Sequence, residues 1–195
     1  MVTMKTIQKV IDFHGHMCPG LAIGIRVAEI ALREIGSHAQ DEEIVAVVET
    51  DMCGVDAIQV LTGCTFGKGN LIFKDYGKKA FSFYRPSDGK GLRIVSLPKL
   101  LSAPNPERDE LMVRLQNNTI GQKERGRFEE LQILLTEKIL EAPLEDLFEI
   151  KDAPSLLPAP ARIHHSIVCQ VCGEEVMATR VQQVEGKRLC IPCSQ

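Results

Sequence analysis

The sequence predicts an α+β fold for most of the chain, followed by a small cysteine-rich domain. Helical patterns come first, a meander of short apolar strands follows, and helical patterns then return. Four of the seven cysteines lie after residue 168, beyond a proline-rich stretch. We therefore divide the chain into an α+β core of helices on an antiparallel sheet (residues 1–142), a linker (143–162) and a four-cysteine domain (163–195).

Two helices are predicted at the start of the core. Residues 4–13 carry apolar side chains at helical spacing, and a second helix runs over residues 19–35. A proline fits the first turn of this second helix, and a glycine follows its last turn. Within it, Gly20, Gly24 and Ala28 recur every four residues and predict a smooth stripe against which another backbone can pack closely.

Strands fill the middle of the core. The β-branched run 44–48 predicts a buried strand, and a short helix follows over 55–61. A Ser-Asp-Gly turn favours a hairpin between the last two of three further strand-like runs, 71–73, 80–84 and 92–95. Two amphipathic helices, broken near Gly121, complete the core.

The predicted linker contains four of the ten prolines, each of which lacks a backbone N–H and disfavours a helix. It begins near Pro143 and ends near Arg162, with short extended pieces such as 147–150. No internal repeat or low-complexity tract is visible on either side of it.

Composition excludes several classes of function. The net charge of −3 gives no global attraction to nucleic acid or to anionic membranes, and 5% aromatic residues without tryptophan provide no base-stacking platform. No apolar run approaches the ~18 residues of a membrane span, and the first residues lack the pattern of a secretory signal peptide. We therefore expect a cytoplasmic protein with reduced thiols and no membrane partner.

The C-terminal cysteines have the spacing of a zinc site. Two C-x2-C pairs flank a 17-residue spacer, and two such pairs can complete a tetrahedron of thiolates. Because no coordination position stays open, we expect structural zinc in a zinc-ribbon or treble-clef-like domain; a rubredoxin-like iron site and a redox pair remain alternatives. The four predicted ligands are Cys169, Cys172, Cys190 and Cys193.

The charge of this domain argues against nucleic acid as a partner. Residues 161–195 carry four Lys or Arg side chains and three Glu side chains, a net of +1. Four thiolates around Zn²⁺ add −2, which leaves the domain slightly acidic. Nucleic-acid binding requires clustered positive charge. A domain that stabilises the fold, or one that docks to another protein, is therefore the better interpretation.

The densest chemical segment of the chain is residues 13–20, just before the second helix. His14, His16 and Cys18 occur within five residues, and a cysteine at a helix start lies at the positive end of the helix dipole. These side chains are candidate metal ligands. Alternatively, Cys18 is a catalytic nucleophile with His14 or His16 as its base.

Two further segments are candidates for the same site. Cys53 and Asp56 lie where the buried strand ends and a helix starts, a place where binding residues concentrate, although Asp56 also suits a first-turn carboxylate. A glycine-rich turn follows with Cys64 and Lys68, and Lys68 is a candidate anion contact. A lone cysteine such as Cys64 is as often a small buried hydrophobe.

Three ordered motifs, residues 13–20, 53–59 and 62–70, resemble those of the E-subunit family of formylmethanofuran dehydrogenase, over most of residues 5–140. The four-cysteine domain resembles the zinc finger that many members carry after the core. The resemblance implies a core that dimerises through interlocked elements and holds a metal-binding cleft. Carried onto this chain, it implies metal ligands or catalytic residues at His14, His16, Cys18, Cys53 and Cys64, with Asp56 and Lys68 as neighbours.

Three functional hypotheses follow. The first is a metal-binding accessory homodimer that serves a redox enzyme complex and holds a second transition metal in the core cleft. The family name associates such proteins with a molybdenum or tungsten oxidoreductase of methanogenesis. The second is a thiol- or metal-dependent enzyme that acts on a small molecule through Cys18. The third is a zinc-ribbon regulatory protein. The sequence has neither a ferredoxin-like cysteine run nor a pterin-sized domain, so it cannot oxidise formylmethanofuran alone.

Overall fold

The computed structural model describes residues 3–41, 43–98, 105–153 and 164–195. The chain divides into two compact units, Met1–Pro160 and Ala161–Gln195. We call them the core unit and the finger unit. The core unit is a mixed layer structure of helices on a sheet, which confirms the predicted α+β class, and the finger unit is a small cysteine-rich domain.

The helices of the core unit follow the predicted order. Their bounds are α1 Met4–His14, α2 Pro19–Glu34, α3 Gly54–Thr62, α4 Pro106–Gln116, α5 Gln122–Glu141 and the single turn α6 Leu144–Leu147. No helix in the described part of the chain has the length and apolar character of a membrane span.

The described strands of the core unit are β1 Val45–Val48, β2 Leu71–Phe73, β3 Ala80–Arg85, β4 Lys90–Ser96 and β5 Phe148–Asp152. They form one sheet in the order β2-β1-β3-β4-β5. The predicted hairpin is confirmed, because β3 and β4 pair antiparallel across the Ser-Asp-Gly turn. The sheet is not wholly antiparallel, however, since β1 and β2 run parallel with α3 as the crossover between them.

The predicted linker starts too early at residue 143. Leu147 and Phe148 are buried in the main core, and β5 extends the sheet by pairing antiparallel with β4. Burial of the apolar side chains therefore decides the structure of this stretch, and the proline at its start only precedes the α6 turn. The other three prolines, at 154, 158 and 160, lie outside the described residues.

The α2 helix lies at the centre of the core unit. Ile23, Val27 and Ile30 belong to the cluster that packs on the sheet. Leu21 and Ile25 belong to a second cluster with α1 and α3. Each fully buried side chain of this size contributes about 1.5–3 kcal/mol to folding, so this one helix fixes the positions of the sheet, α1 and α3.

A close crossing of α2 and α3 confirms the predicted stripe of small residues. A Cβ added at Gly24 would lie 2.1 Å from the carbonyl oxygen of Gly54, the first residue of α3. Only glycine allows this approach. The crossing holds the start of α3, and with it Cys53, against the start of α2.

The described residues of the finger unit form two short hairpins. The strands are β6 Ser166–Val168, β7 Glu175–Met177, β8 Val181–Val184 and β9 Lys187–Cys190. A 3-10 turn at Ala178–Arg180 separates β7, which pairs with β6, from β8, which pairs with β9. A second 3-10 turn spans Ile191–Cys193.

Candidate functional site

The finger unit brings its four cysteines together. One sulfur from each of Cys169, Cys172, Cys190 and Cys193 lies within 4.8 Å of the other three. Gly173 adopts φ +76° after the first pair, and its N–H donates to the Cys169 carbonyl at 3.0 Å. This turn folds the first C-x2-C pair back on itself, so both of its sulfurs face the second pair.

The electrostatics of these thiols suit a bound cation. Backbone N–H donors, first that of Cys190, lower the pKa of Cys169 to about 6. The neighbouring Cys190 sulfur and burial raise the pKa of Cys193 to about 12. One thiol therefore ionises readily, whereas crowding opposes further ionisation until a divalent cation offsets the added negative charge.

A second cluster of donors lies in the core unit. One ligand atom from each of His14, His16 and Cys18 lies within 4.8 Å of the other two. Gly15 ends α1 in the left-handed region at φ +94°, where its N–H donates to the Ile11 carbonyl at 2.7 Å. This reversal returns the chain, so the two imidazole rings lie 4.8 Å apart between centroids.

Asp56 orients the first of these histidines. Its Oδ2 lies 2.7 Å from His14 Nδ1, and the His14 side chain is 13% exposed. A carboxylate accepts the hydrogen bond from Nδ1–H, and in the neutral imidazole the other nitrogen, Nε2, then has the free lone pair. That Nε2 is buried and has no hydrogen-bond partner among the described residues. The arrangement is that of a metal-binding histidine held by a carboxylate behind it.

Two cysteines lie at the starts of the helices that meet at this cluster. Cys18 is the N-cap of α2, and its sulfur accepts from Leu21 N–H at 3.4 Å. Cys53 precedes α3 without such a side-chain bond, and a Cβ added at Gly20 would lie 3.2 Å from the Cys53 Cβ. Burial raises the pKa of Cys53, and the Cys18 thiol beside it raises it further. The α2–α3 crossing thus places Cys53 on the same cavity as Cys18, although Cys53 is not among the three donors that lie within 4.8 Å of one another.

The cluster borders an open cleft whose far wall the sequence did not reveal. Two cavities of about 510 Å³ and 430 Å³ share His16, Cys18 and Pro19, and side chains of α4 and α5 line both cavities. Arg108 and Gln132 belong to this wall. Neither lies near a cysteine or histidine in the sequence, and helical periodicity alone does not show which face of a helix meets a site.

Cys64 and Lys68 lie apart from the cluster. Cys64 is fully buried in the main core, its thiol donates to the Ile44 carbonyl at 3.3 Å, and burial raises its pKa. This placement corrects the prediction of Cys64 as a metal ligand. The Lys68 ammonium donates to the carbonyls of Ala39 and Gln40 at 3.2 Å and 3.3 Å. Lys68 therefore holds the loop at Ala39 and Gln40, which is not the predicted anion contact.

Two family models match the chain. The model described as "FmdE, Molybdenum formylmethanofuran dehydrogenase operon" matches residues 13–149. The model of the prokaryotic dksA/traR C4-type zinc finger matches residues 164–195. The two matches fall in the core unit and in the finger unit, and the first includes all the donors of the core cluster.

Two known proteins are similar to this chain over most of its length. A probable S-adenosyl-L-methionine-binding protein of Archaeoglobus fulgidus is 35% identical over 191 residues, which cover 94% of this chain and 50% of the relative. The chain thus spans about half the length of that relative. The crystal structure of a tungsten formylmethanofuran dehydrogenase FmdE-like protein from Syntrophus aciditrophicus is similar with a TM-score of 0.62 and 26% identity, covering 97% of this chain and 90% of that one. The chain belongs to the FmdE family, whose model matches more than half of it, and carries a C4-type zinc finger after the family domain.

Proposed function

We propose that the protein is a metal-binding accessory protein with a transition metal at the core cluster and a structural zinc in the finger unit. One observation carries the first part of the proposal. Ligand atoms of three donor side chains lie within 4.8 Å of one another. Asp56 contacts Nδ1 of His14, and the buried Nε2 of the same ring has no hydrogen-bond partner among the described residues. A buried acceptor without a hydrogen bond costs about 1–3 kcal/mol, and a metal–nitrogen bond would remove that cost.

The donor set favours zinc or another late transition metal. Two imidazoles and one thiolate are softer ligands than the oxygen atoms that Mg²⁺ and Ca²⁺ prefer. One thiolate leaves a divalent ion with a net positive charge, which the Asp56 carboxylate behind His14 partly balances. A fourth position remains for Cys53 or for a molecule that enters from the cleft. This is the pattern of an open site rather than of a closed structural one.

Assembly and partners are further parts of the proposal. We propose a homodimer that associates with a redox enzyme complex, in keeping with the operon for which the family is named. Val113, Ile133 and Leu134 on α4 and α5 are each at least half exposed, which supports a protein contact on these helices. Light scattering coupled to size-exclusion chromatography tests the dimer: a monomeric mass across micromolar concentrations would contradict it.

Binding of S-adenosyl-L-methionine is a second candidate function. The name of the A. fulgidus relative suggests it, and the cavities beside the core cluster have the volume of a small-molecule site. Calorimetric titration with S-adenosyl-L-methionine tests this candidate directly. Saturable heat that is weakened by His16→Ala would support it, and an absence of heat at millimolar ligand would contradict it.

A thiol enzyme that acts through Cys18 is the remaining alternative. Its support is the position of Cys18 at the start of α2, where Leu21 N–H donates to the sulfur. Alkylation by iodoacetamide separates the two roles of this residue. A metal ligand is protected when the protein is loaded with zinc, whereas a free nucleophile reacts at the same rate in loaded and unloaded protein.

Metal counting on the full chain tests the main proposal. We expect two zinc equivalents in the wild type and one in Cys18→Ala or His16→Ala. The exposed His38 provides a matched control in the core unit, and His38→Ala should retain both equivalents. A Cys172→Ser, Cys193→Ser double variant should keep the core metal alone. The proposal fails if the wild type holds only one equivalent and the Cys18→Ala variant holds the same amount.

A further inference from the structure

Gln132 occupies a distinctive place in the cleft. The two cavities beside the core cluster share His16, Cys18 and Pro19 on one side, and Gln132 of α5 on the other. Among the described residues of α4 and α5, no other side chain lines both cavities. Gln132 therefore stands where the two cavities meet, across from the candidate ligands.

The Gln132 side chain brings an amide to this place. Its backbone carbonyl accepts a hydrogen bond from Thr136, but within the described ranges no hydrogen bond uses its side chain. The residue is half-buried. An amide offers two N–H donors and one carbonyl acceptor. Gln132 can therefore either donate or accept a hydrogen bond in the space beside the cluster.

The rest of the wall combines apolar and charged side chains. Met52, Met112 and Leu135 line the first cavity, and Phe128 and Ile133 line the second. Of the charged lining residues, Arg108 is ion-paired with Asp109 at 3.0 Å, whereas Lys79, Arg125 and Glu129 are exposed to solvent. Apolar walls with a few convergent polar groups are typical of sites that bind small organic molecules.

We propose that Gln132 recognises a small organic ligand bound to the core metal. The inference rests on the proposed metal site and adds the ligand class: a molecule with one soft donor atom for the metal, a flat or aliphatic body for the apolar wall, and an amide or carboxyl group for Gln132. Gln132 is a specificity-determining residue in this site, since it selects for the polar group and does not hold the metal.

Two aromatic thiols test the proposal on the full chain loaded with cobalt. Thiophenol provides the donor and the flat body, and 4-mercaptobenzamide adds an amide that cannot reach the metal bound by its own sulfur. We expect both to change the cobalt absorption of the core site and the amide compound to bind about fivefold more tightly, as one neutral hydrogen bond allows. Gln132→Leu should abolish this preference without lowering cobalt content. Gln116→Ala, an exposed glutamine on α4 outside the cleft, should retain it.

The outcomes separate this inference from the function on which it rests. Equal affinity of the two thiols in the wild type, or a preference that survives in Gln132→Leu, overturns the role of Gln132 while the core metal stands. If cobalt binds only in the finger unit, and Cys18→Ala leaves the spectrum unchanged, the proposed metal site fails and the ligand assignment fails with it.

Discussion

The finger unit and the core cluster present two ways of assembling sulfur and nitrogen donors. In the finger unit, all four donors come from two tight turns close together in the sequence, and they enclose the centre. In the core unit, the donors lie from the end of α1 to the start of α2, the carboxylate that orients His14 lies on α3, and one side faces a cleft. Local chain geometry is enough for the closed site, whereas the open site depends on how the helices cross.

The largest expected effect is loss of the finger fold when one of its cysteines is replaced. Structural zinc contributes about 10–16 kcal/mol of apparent binding free energy in isolated fingers, and the apolar cluster around Leu189 in the described part of the finger unit is small. Cys193→Ser should therefore collapse the amide resonances of β6 to β9 into an unfolded pattern. Cys18→Ser is the control: an equally unfolded finger in that variant would contradict the independence of the two sites.

Replacing Gly24 should be the most damaging change in the core unit. Gly24→Ala places a methyl group 2.1 Å from the Gly54 carbonyl, which has to move. We expect a loss of about 1–3 kcal/mol in the free energy of unfolding, measured by urea denaturation, together with weaker core metal binding because Cys53 shifts. Gly126→Ala is a matched control on α5, because nothing lies within 4 Å of the added Cβ and alanine favours a helix by roughly 0.5–1 kcal/mol. Equal destabilisation by both changes would contradict the close crossing.

Asp56→Asn should weaken the core metal without unfolding the chain. The amide keeps the size of the side chain but loses the charge that fixes the His14 tautomer, and losses of such partners cost about 10–100-fold in metal affinity. Chelator competition measures this effect. Asp12→Asn, which alters an exposed carboxylate of α1, should leave the affinity unchanged. An unchanged affinity in Asp56→Asn would contradict the role of the Asp56 carboxylate in orienting His14.

Cys64→Ala should have the smallest effect and separates a core cysteine from a ligand. It removes a buried thiol and its hydrogen bond to Ile44, which we expect to cost about 0.5–1.5 kcal/mol. Thermal unfolding measures the cost, and metal analysis should find no change. Loss of one metal equivalent in this variant would contradict the placement of Cys64 away from the cluster.

Much of the fold could be predicted because its determinants are local. The proline at the start of α2, the glycine that follows this helix and the Ser-Asp-Gly hairpin each specify an element through a few neighbouring residues. The parallel pairing of β1 with β2 and the addition of β5 to the sheet could not be predicted, because both depend on burial between distant segments. Prolines near residue 143 suggested a linker, whereas the apolar Leu147 and Phe148 decided the outcome.

The candidate site was predicted in part for the same reason. His14, His16 and Cys18 are neighbours in the sequence. The stripe of small residues on α2 indicated a close backbone contact, and the structure shows that this contact places Cys53 next to the start of α2. A cysteine in a glycine-rich turn looked equally suitable as a ligand, but strand packing encloses Cys64 in the core. Gln132 had no local pattern to distinguish it, since only the tertiary packing of α5 brings it to the cleft.

The most direct measurement is X-ray absorption at the zinc edge on the full chain carrying Cys172→Ser and Cys193→Ser, so that only the core site can fill. The account predicts bound zinc with a mixed shell of nitrogen near ~2.0–2.1 Å and sulfur near ~2.3 Å, and loss of both shells in the same chain with Cys18→Ala and His16→Ala added. A double variant that retains no zinc, or zinc surrounded by oxygen alone, would contradict a metal site at the start of α2.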